Sequence, residues 1–503
     1  MPLHAVQPTS HDYFSPPLTR LRPQRLTTEE IDALDVEEDS SLISNPEQRE
    51  VVAAIVTAPG GSVPFMIFGP PGTGKTVTVV KAALQVLKSN PDARLLMCAP
   101  TNEAADLLAF KMAELGPTQL LRLNAVKRPV ESESTLQAAL KQFSIFGADG
   151  AYTIPDAVHL QSRRVVVTTC VSAAMPYCLG VEPGWFTHIF IDEAGQCVEP
   201  EAMIPVKLLA GENTNVVLAG DVKQLGPVIH SDYSRDLGLK QSYMERLSNM
   251  PVYDWKLIEE IVKLVKHFRS HPAIISFSNK KFYGDELEPC SDEAITHGML
   301  HSVVLDGLNP KFPVVFHGIS GQEKHEEDTP SYINAQEASL VVRYCKALVN
   351  DPRARISAKD IGVVSPYNGQ CRMIRTLLQR SSRQMDGLRV GPTEAFQGQD
   401  RRVIIISTVR SNRFLADIRQ RLGFVADPQR LNVAITRARA LLIVIGDPDV
   451  LALDDVWREF MAYVKANGGW RGKGVSEAHI YGPNAEDTTT AAVRRIDEQI
   501  NEV

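Results

Sequence analysis

The stretch of this sequence best suited to chemistry is GPPGTGKT at residues 69–76, which matches the pattern G-x-x-x-x-G-K-[ST] in full. An apolar run precedes it and a helical pattern follows it, so its glycines can let main-chain N–H groups wrap phosphate oxygens at a helix start. Lys75 would neutralise the β- and γ-phosphates, and Thr76 would offer its hydroxyl to Mg²⁺. The predicted phosphate-binding residues are Gly69, Pro70, Pro71, Gly72, Thr73, Gly74, Lys75 and Thr76.

A pair of acidic residues follows another apolar run, in the segment HIFIDEAGQ. Asp192 ends the predicted strand, where a carboxylate can hold the magnesium ion. Glu193 comes next and is suitably placed to orient or deprotonate an attacking water. Acidic residues end many strands, but after a phosphate loop in the same α/β unit this pair predicts hydrolysis of a nucleoside triphosphate.

Two arginines stand close together near the C-terminus, in LNVAITRARA at residues 431–440. The apolar residues before them recur at helical spacing, with Asp427 as the expected helix cap and Pro428 in the first turn. Arg437 and Arg439 are either solvated residues at a helix end or include one that reaches a phosphate bound elsewhere. On a helix, side chains two positions apart point about 200° apart, so we expect the two arginines to have different partners.

The elements that must position these residues alternate along most of the chain. Apolar runs such as ARLLMCAP, RRVVVTTC and NVVLAGD alternate with helical patterns, which is typical of parallel sheets covered on both faces. The sequence therefore predicts an α/β fold with two tandem α/β domains. The expected parts are a proline-rich and acidic arm at 1–40, a first domain at 41–255 with an insertion at about 125–162, a second domain at 256–466 and a polar tail at 467–503.

Composition excludes several classes of protein. Hydrophobic content of 44% and charged content of 22% are ordinary for a globular chain of 503 residues. No apolar run reaches the roughly 18 residues of a membrane span, and the N-terminus does not resemble a secretory signal. The seven cysteines are scattered singly, which predicts buried thiols in a reducing compartment. Because the net charge is −7, nucleic-acid binding would need a local basic groove.

Several motifs in order give the chain a family resemblance. DEAGQ, GDVKQLGPV (220–228), FRSHPAI (268–274), FQGQD (396–400) and LNVAITRAR (431–439) resemble superfamily 1 helicases, especially RNA helicases of the up-frameshift type. The block FPVVFHGISGQEKHEEDTPSYINAQEA (312–338) is most similar to the Armitage-like branch, which is linked to RNA silencing. The resemblance covers about residues 42–465 and implies two RecA-like domains that use ATP and Mg²⁺.

The resemblance also implies roles for individual residues. Gln48 would read the adenine edge and Phe268 would stack on the adenine ring, while Gln224 would sense the γ-phosphate. Arg269 and Arg437 would reach that phosphate from the second domain. Gln397, Gly398 and Asp400 would complete the nucleotide site. The residues implied to follow the nucleic-acid backbone are Thr101, Asn102, Thr169, Pro366, Tyr367 and Arg410.

Some of these residues have plainer interpretations. Phe268 lies at helical spacing with Leu257, Ile261 and Leu264, so it could be a core residue. Gln224 could be an ordinary polar residue at a strand end, and His271 reads as a turn residue before Pro272. The sequence also departs from the family, with Phe268 in place of the usual Tyr and Asp400 where Glu is common.

The expected activity is an ATP-dependent, 5′-to-3′ translocase or helicase on single-stranded RNA, acting as a cytoplasmic monomer with silencing or decay proteins as partners. An ATP-gated RNA-binding scaffold and a DNA helicase are the alternatives. Only 44 residues precede Asn45, too few for the β-barrel insert that up-frameshift relatives carry, which favours the scaffold.

Overall fold

The computed structural model describes residues 45–130, 135–253, 261–326, 329, 331–381, 385–411 and 422–475. The chain divides into two compact units, residues 1–266 and 267–503. The predicted arm at 1–40 and residues 476–503 of the predicted tail lie outside the described residues. Within the described part, no helix is long and apolar enough to cross a membrane.

The first unit is built on a sheet whose described strands are all parallel, in the order β3-β4-β2-β5-β6-β1-β7. Its strands are β1 (Phe65–Phe68), β2 (Leu95–Ala99), β3 (Leu120–Arg122), β4 (Val165–Thr169), β5 (His188–Ile191), β6 (Asn215–Gly220) and β7 (Ile261–Lys263). Its helices are α1 (Pro46–Thr57), α2 (Lys75–Ser89), α3 (Asn102–Lys111), α4 (Thr135–Leu140), α5 (Ala157–Gln161), α6 (Ala174–Cys178), α7 (Glu199–Leu209), α8 (Asp232–Ser234) and α9 (Tyr243–Ser248).

The second unit follows a short strand, β8 (Lys266–His267), and has a second parallel sheet in the order β14-β13-β15-β16-β10-β17. Its strands are β9 (Glu288–Pro289), β10 (Val314–Gly318), β11 (Glu323–His325), β12 (Tyr332–Asn334), β13 (Ile361–Val364), β14 (Arg389–Gly391), β15 (Arg401–Ser407), β16 (Ala438–Gly446) and β17 (Trp470–Gly472). Its helices are α10 (Pro272–Phe282), α11 (Glu293–Thr296), α12 (Ala335–Val349), α13 (Asn368–Ser381), α14 (Pro428–Ile435), α15 (Pro448–Leu451) and α16 (Asp455–Ala466).

Short turns of 3-10 helix join these elements, and one π-helical turn, Arg235–Leu239, follows α8. The 3-10 turns are Ala113–Leu115, Lys141–Phe143, Ala194–Gln196, Pro251–Tyr253, Val303–Leu305, Ala358–Asp360, Thr393–Phe396 and Gly423–Ala426.

Continuous apolar runs form these strands because both faces of each sheet are covered. In β2, Leu95 and Met97 enter one core cluster while Leu96 and Cys98 enter the cluster on the other face. Side chains alternate between the faces of a strand, so burial on both faces requires apolar residues throughout. The prediction of two α/β units with parallel sheets covered by helices is confirmed.

The division between the units lies after Lys266, later than the boundary at 255/256 expected from the sequence. The reason is that β7 pairs in parallel with β1, Met66 lying opposite Ile261, and so completes the first sheet. The expected insertion at 125–162 is partly buried, since Phe143 and Leu160 are at most 3% exposed. Its residues 131–134 lie outside the described part of the chain.

The buried-thiol prediction holds for five of the seven cysteines. The buried five are Cys98, Cys170, Cys197, Cys345 and Cys371. For Cys178 and Cys290 the prediction is wrong, because both side chains are exposed.

Candidate functional site

The glycine-rich loop lies between strand β1 and helix α2, as the sequence predicts. Gly74 directly precedes the helix with φ of +83°, a left-handed conformation that favours glycine. A Cβ at this position would also lie 2.6 Å from the side-chain nitrogen of Gln48. The loop can therefore turn tightly and present main-chain N–H groups at the start of a fifteen-residue helix.

Gln48 lies against this loop although it is far from it in sequence. Its Nε2 donates to the carbonyl of Thr73 at 3.1 Å, and its side chain is buried. The first turn of α1 is held by Asn45, whose side chain accepts from the main-chain N–H of Gln48. The structure thus brings Gln48 to the phosphate loop, while adenine reading by this residue stays a prediction.

Lys75, Thr76 and the acidic pair converge at the carboxyl ends of β1 and β5. Lys75 Nζ lies 3.6 Å from a carboxylate oxygen of Glu193 and 3.3 Å from the carbonyl of Gly69. Thr76 Oγ1 donates to Asp192 Oδ2 at 2.8 Å. Together they place one cation, one hydroxyl and two carboxylates around the mouth of the loop.

The Thr76–Asp192 pair is the part of this site that fits magnesium. Hydroxyl and carboxylate oxygens are hard ligands, and Mg²⁺ in nucleotide sites takes few protein ligands besides phosphates and water. Among the described residues, no group of three or more His, Cys, Asp or Glu side chains could hold a metal by itself. Burial, and then the neighbouring Glu193, raise the pKa of Asp192 to about 6, although Lys75 and Thr76 oppose the shift.

Glu193 has an unusual backbone conformation, with φ of 54° and ψ of 34°. Non-glycine residues seldom adopt this left-handed region, and such outliers concentrate at functional sites. Its carboxylate accepts from Gln196 Nε2 at 2.9 Å, and its main-chain N–H donates to Asp192 at 3.0 Å. Gln196 and Lys75 therefore hold the Glu193 carboxylate, while Asp192 holds its main-chain N–H.

Gln224 follows β6, the strand between β5 and β1 in the sheet. Its Nε2 donates to Asp221 Oδ2 at 2.6 Å in a buried position. A Cβ on Gly220 would lie 2.8 Å from the main-chain nitrogen of Gly195, so glycine allows the Gln224 loop and the Glu193 turn to touch. The structure places Gln224 at the same edge of the sheet as the phosphate loop.

A second cluster lies within the second unit and centres on Asp400. This carboxylate accepts from Arg439 Nε, and Arg269 Nε lies 4.0 Å away. Arg269 also donates to the carbonyl of Thr436 at 3.2 Å. Burial works against ionisation of Asp400, but Arg269, Arg439 and Arg437 outweigh it and lower the pKa of the carboxyl.

The helix prediction for LNVAITRARA is right at its start and wrong at its end. Asp427 caps α14 through the N–H groups of Gln429 and Arg430, as expected. The helix ends at Ile435, however, and Arg439 belongs to strand β16. The angle argument based on one helix therefore does not apply to the two arginines.

The two arginines nevertheless have different surroundings. Arg437 is 2% exposed, and its Nε donates back to the carbonyl of Val433 at the helix end. The side chain of Arg439 is 44% exposed and forms the ion pair with Asp400. The expectation that the two arginines have different partners is confirmed, whereas the contact of Arg437 with a phosphate stays a prediction.

The core interpretation of Phe268 is wrong. Its side chain is 44% exposed, and it lies between β8 and α10 in a segment that is not helical. The expected helical spacing came from Ile261, which lies in strand β7, and Leu264, which packs in the first core. His271 caps α10 by accepting from the N–H of Ala273, as expected of a turn residue.

Gln397, Gly398 and Asp400 form the turn that leads into β15. Gly398 has φ of +67° and open space around its Cβ position, so the turn itself requires glycine there. Asp400 lies close to Arg439 and Arg269, and its contribution to the nucleotide site stays a prediction.

The nucleic-acid candidates of the first unit follow two neighbouring strands. Thr169 ends β4, and Thr101 follows β2, whose Ala99 lies opposite Thr169. Thr101 is exposed and caps α3, while Asn102 accepts from Arg122 at 3.2 Å. The structure therefore brings Thr101, Asn102 and Thr169 to one edge of the sheet, where they remain candidates.

In the second unit, the candidates Pro366, Tyr367 and Arg410 follow the neighbouring strands β13 and β15. Tyr367 is 2% exposed and Arg410 is 1% exposed. The Arg410 Nε donates to Glu323 at 3.1 Å. This pairing was missed by sequence reasoning, because nothing in a single sequence links residues that are 87 positions apart.

Glu337, at the start of α12, is a further buried group that the sequence did not point to. Its carboxyl accepts from Ser407 Oγ at 2.7 Å and from the N–H of Val409 at 2.9 Å. Burial raises its pKa from 4.5 to about 8, although these two hydrogen bonds lower it. Burial therefore favours the protonated form of this carboxyl in the folded chain.

This raised pKa predicts a pH dependence of stability. Between about pH 4.5 and 8 the folded chain binds a proton that the unfolded chain has lost, so the contribution of Glu337 to stability falls as pH rises. The expected loss is about 1.4 kcal/mol per pH unit in the free energy of unfolding. The free energy of unfolding, measured by chemical denaturation across this range, should fall less steeply with pH for Glu337→Gln than for the parent chain. Glu459 is exposed and serves as the control, so Glu459→Gln should show the same fall as the parent chain. If the free energy of unfolding changed equally with pH in all three proteins, the raised pKa of Glu337 would be contradicted.

Comparison with known proteins gives matches in both halves of the chain. Two family models, each described as an AAA domain, match residues 239–449 and residues 44–146 with 150–232. The chain is 41% identical over 449 residues to "RNA helicase Mov10l1" of Mus musculus. It is 32% identical over 466 residues to "Probable RNA helicase armi" of Drosophila melanogaster, and 32% identical over 463 residues to "ATP-dependent helicase upf1" of Schizosaccharomyces pombe.

The three alignments cover most of this chain but less than half of each relative. They include 86%, 85% and 84% of this chain, and 36%, 39% and 47% of the mouse, fly and yeast proteins. The residues matched by the two family models include the phosphate loop, the acidic pair and the arginine cluster described above.

Proposed function

Because the chain belongs to the superfamily 1 helicases of the up-frameshift and Armitage-like type and carries their helicase core, we propose that it couples ATP hydrolysis to movement on single-stranded RNA. The reaction would be attack of water on the γ-phosphate of Mg²⁺-bound ATP. Translocation would run 5′ to 3′, as the subgroup resemblance implies.

The observation that carries the proposal is the convergence of Lys75, Thr76, Asp192 and Glu193 within hydrogen-bonding or ion-pair distance. Lys75 would bind the β- and γ-phosphate oxygens. Its positive charge would stabilise the negative charge that develops during phosphoryl transfer. The Thr76 hydroxyl and the Asp192 carboxylate would hold Mg²⁺. Glu193 would orient the attacking water and accept its proton.

The second unit would supply positive charge to the same reaction. Arg269, Arg439 and Arg437 all lower the pKa of the Asp400 carboxyl, so three cationic groups lie close together at this place. We propose that Arg437 and Arg269 stabilise the γ-phosphate and that Phe268 offers an exposed ring to the adenine. Gln48 and Gln224 would complete nucleotide recognition from the first unit.

The direct test is ATP hydrolysis measured with and without single-stranded RNA. We expect single-stranded RNA to raise the turnover of the wild-type chain several-fold, because strand binding favours the state that hydrolyses ATP. Single-stranded DNA of the same length and sequence, titrated over the same salt range, serves as the control for sugar specificity. Turnover that RNA leaves unchanged would contradict the proposal, and equal stimulation by DNA would favour a DNA helicase.

A second candidate function is an ATP-gated RNA clamp with little unwinding, because the same phosphate site could gate strand binding without separating a duplex. A strand-displacement assay on a duplex with a 5′ single-stranded overhang separates the two. Displacement that requires ATP would favour the helicase, whereas ATP-dependent retention on RNA without displacement would favour the clamp. A role in RNA silencing or decay, a cytoplasmic location and a monomeric state belong to the proposal as well.

A further inference from the structure

A buried ion pair lies beside the segment that would track nucleic acid in the second unit. Arg410 Nε is 3.1 Å from Glu323 Oε2, and the side chains are only 2% and 7% exposed. The Arg410 guanidinium also lies 4.1 Å from the centre of the Tyr332 ring and 3.4 Å from the Tyr367 hydroxyl. A guanidinium held in this way is not placed to meet a phosphate in solvent.

The main chain around Arg410 is held by the same part of the fold. Glu323 Oε2 also accepts from the N–H of Ser411 at 2.6 Å. Asn334 Nδ2 donates to the carbonyl of Val409 at 3.0 Å and contacts Ser411 Oγ at 3.1 Å. Glu337 accepts from the N–H of Val409 at 2.9 Å. We call Glu323, Asn334 and Glu337 the cradle residues of the 408–411 segment.

The segment needs such support because its backbone is strained. Val409 has φ of 73°, a conformation that is unfavourable for a β-branched residue. Strain of this kind destabilises the folded chain and persists only where surrounding contacts determine it. Each cradle residue comes from the block at 312–338 in which this chain resembles the Armitage-like branch.

We propose that Glu323 and Arg410 are positioning residues, which fix the 408–411 segment so that it meets RNA through main-chain and hydroxyl groups. In this arrangement the segment adds no guanidinium–phosphate contact of its own. The inference rests on the proposed function, since it concerns how the same protein holds its RNA. It also gives the resembling block a role, because that block supplies the carboxylate that fixes Arg410.

Salt dependence separates positioning from direct contact. A basic side chain that neutralises one phosphate of a single strand contributes about 0.7 to the slope of log affinity against log salt. If Arg410 only positions the segment, its removal weakens binding while the slope stays the same. If Arg410 contacts a phosphate, its removal lowers the slope.

The experiment compares the wild-type chain with Arg410→Gln and with the double variant Glu323→Gln/Arg410→Gln. Binding to a fluorescent single-stranded RNA is measured at several KCl concentrations. We expect Arg410→Gln to lose roughly tenfold in affinity at an unchanged slope, because it leaves the Glu323 carboxylate buried without this partner. The double variant should recover most of that loss, since two amides can replace the ion pair without charge.

A control variant and a test of folding distinguish a loss of positioning from a general loss of binding or of structure. Arg353→Gln removes a surface arginine that pairs with Asp306, and it should change neither affinity nor slope. If Arg410→Gln does not fold, as judged by thermal unfolding, the double variant alone still reports the slope. A slope reduced by about 0.7 in the double variant, without recovery of affinity, would overturn the positioning role. No RNA binding by the wild-type chain would overturn the proposed function together with this inference.

Discussion

Replacement of Lys75 by alanine is expected to lower ATP hydrolysis by about 10²- to 10³-fold, the usual effect of removing one preorganised electrostatic group. The side chain lies 3.6 Å from Glu193 and 3.3 Å from the Gly69 carbonyl, at the mouth of the phosphate loop. Its loss removes the charge that favours phosphate transfer. Steady-state release of inorganic phosphate, with and without RNA, measures the effect.

Glu193→Gln is the matched variant for this prediction. The amide keeps the size of the side chain but cannot accept the proton of the attacking water, so hydrolysis should fall by about 10²-fold or more while nucleotide binding persists. Lys75→Ala should weaken nucleotide binding as well, which a fluorescent ATP analogue would show. Hydrolysis that survives both substitutions would place the reaction elsewhere in the molecule.

Replacement of Arg437 by alanine is expected to reduce ATP turnover by about 10³-fold, the lower end of the range for an arginine that stabilises phosphoryl transfer. Arg439→Ala should have a much milder effect. The structural reason is that Arg439 is half-exposed and paired with Asp400, whereas Arg437 is buried next to Thr436, whose carbonyl holds Arg269.

RNA affinity and thermal unfolding are the necessary controls for this pair. Both variants should bind single-stranded RNA nearly as well as the parent chain, because neither arginine lies among the strand-tracking candidates. Arg437 also donates to the carbonyl of Val433, so its loss could lower stability, and unfolding midpoints will show whether it does. Equal losses of turnover from the two substitutions would show that the assignment of separate roles is wrong.

Local patterns were enough to predict much of this protein. The phosphate loop, the cap of α14 at Asp427 and the strand before Asp192 depend on residues that are neighbours in sequence. Glycine conformations, helix caps and apolar runs act over a few residues, so one sequence contains all the necessary information. The alternation of apolar runs with helical patterns predicted two α/β units, and the order of several motifs predicted the family.

Predictions failed where a periodic pattern crossed the end of an element. Ile261, Leu264 and Phe268 have helical spacing, but Ile261 lies in an edge strand and Phe268 is exposed. In the same way, Ala438 continued the helical pattern of α14 while belonging to β16. Sheet pairing with β1 and β15 decided both cases, and a strand's partners lie far away in sequence.

The sequence by itself determined the candidates for phosphate and magnesium binding, because GPPGTGKT and DEAGQ are each short motifs of neighbouring residues. Only the tertiary structure decided that Arg410 is buried, since its partner Glu323 comes from a strand 87 residues earlier. It also placed three arginines near Asp400 and a buried Glu337 against the main-chain N–H of Val409. Burial and ion pairing depend on distances between residues in the folded chain, and a single amino-acid sequence does not specify these distances.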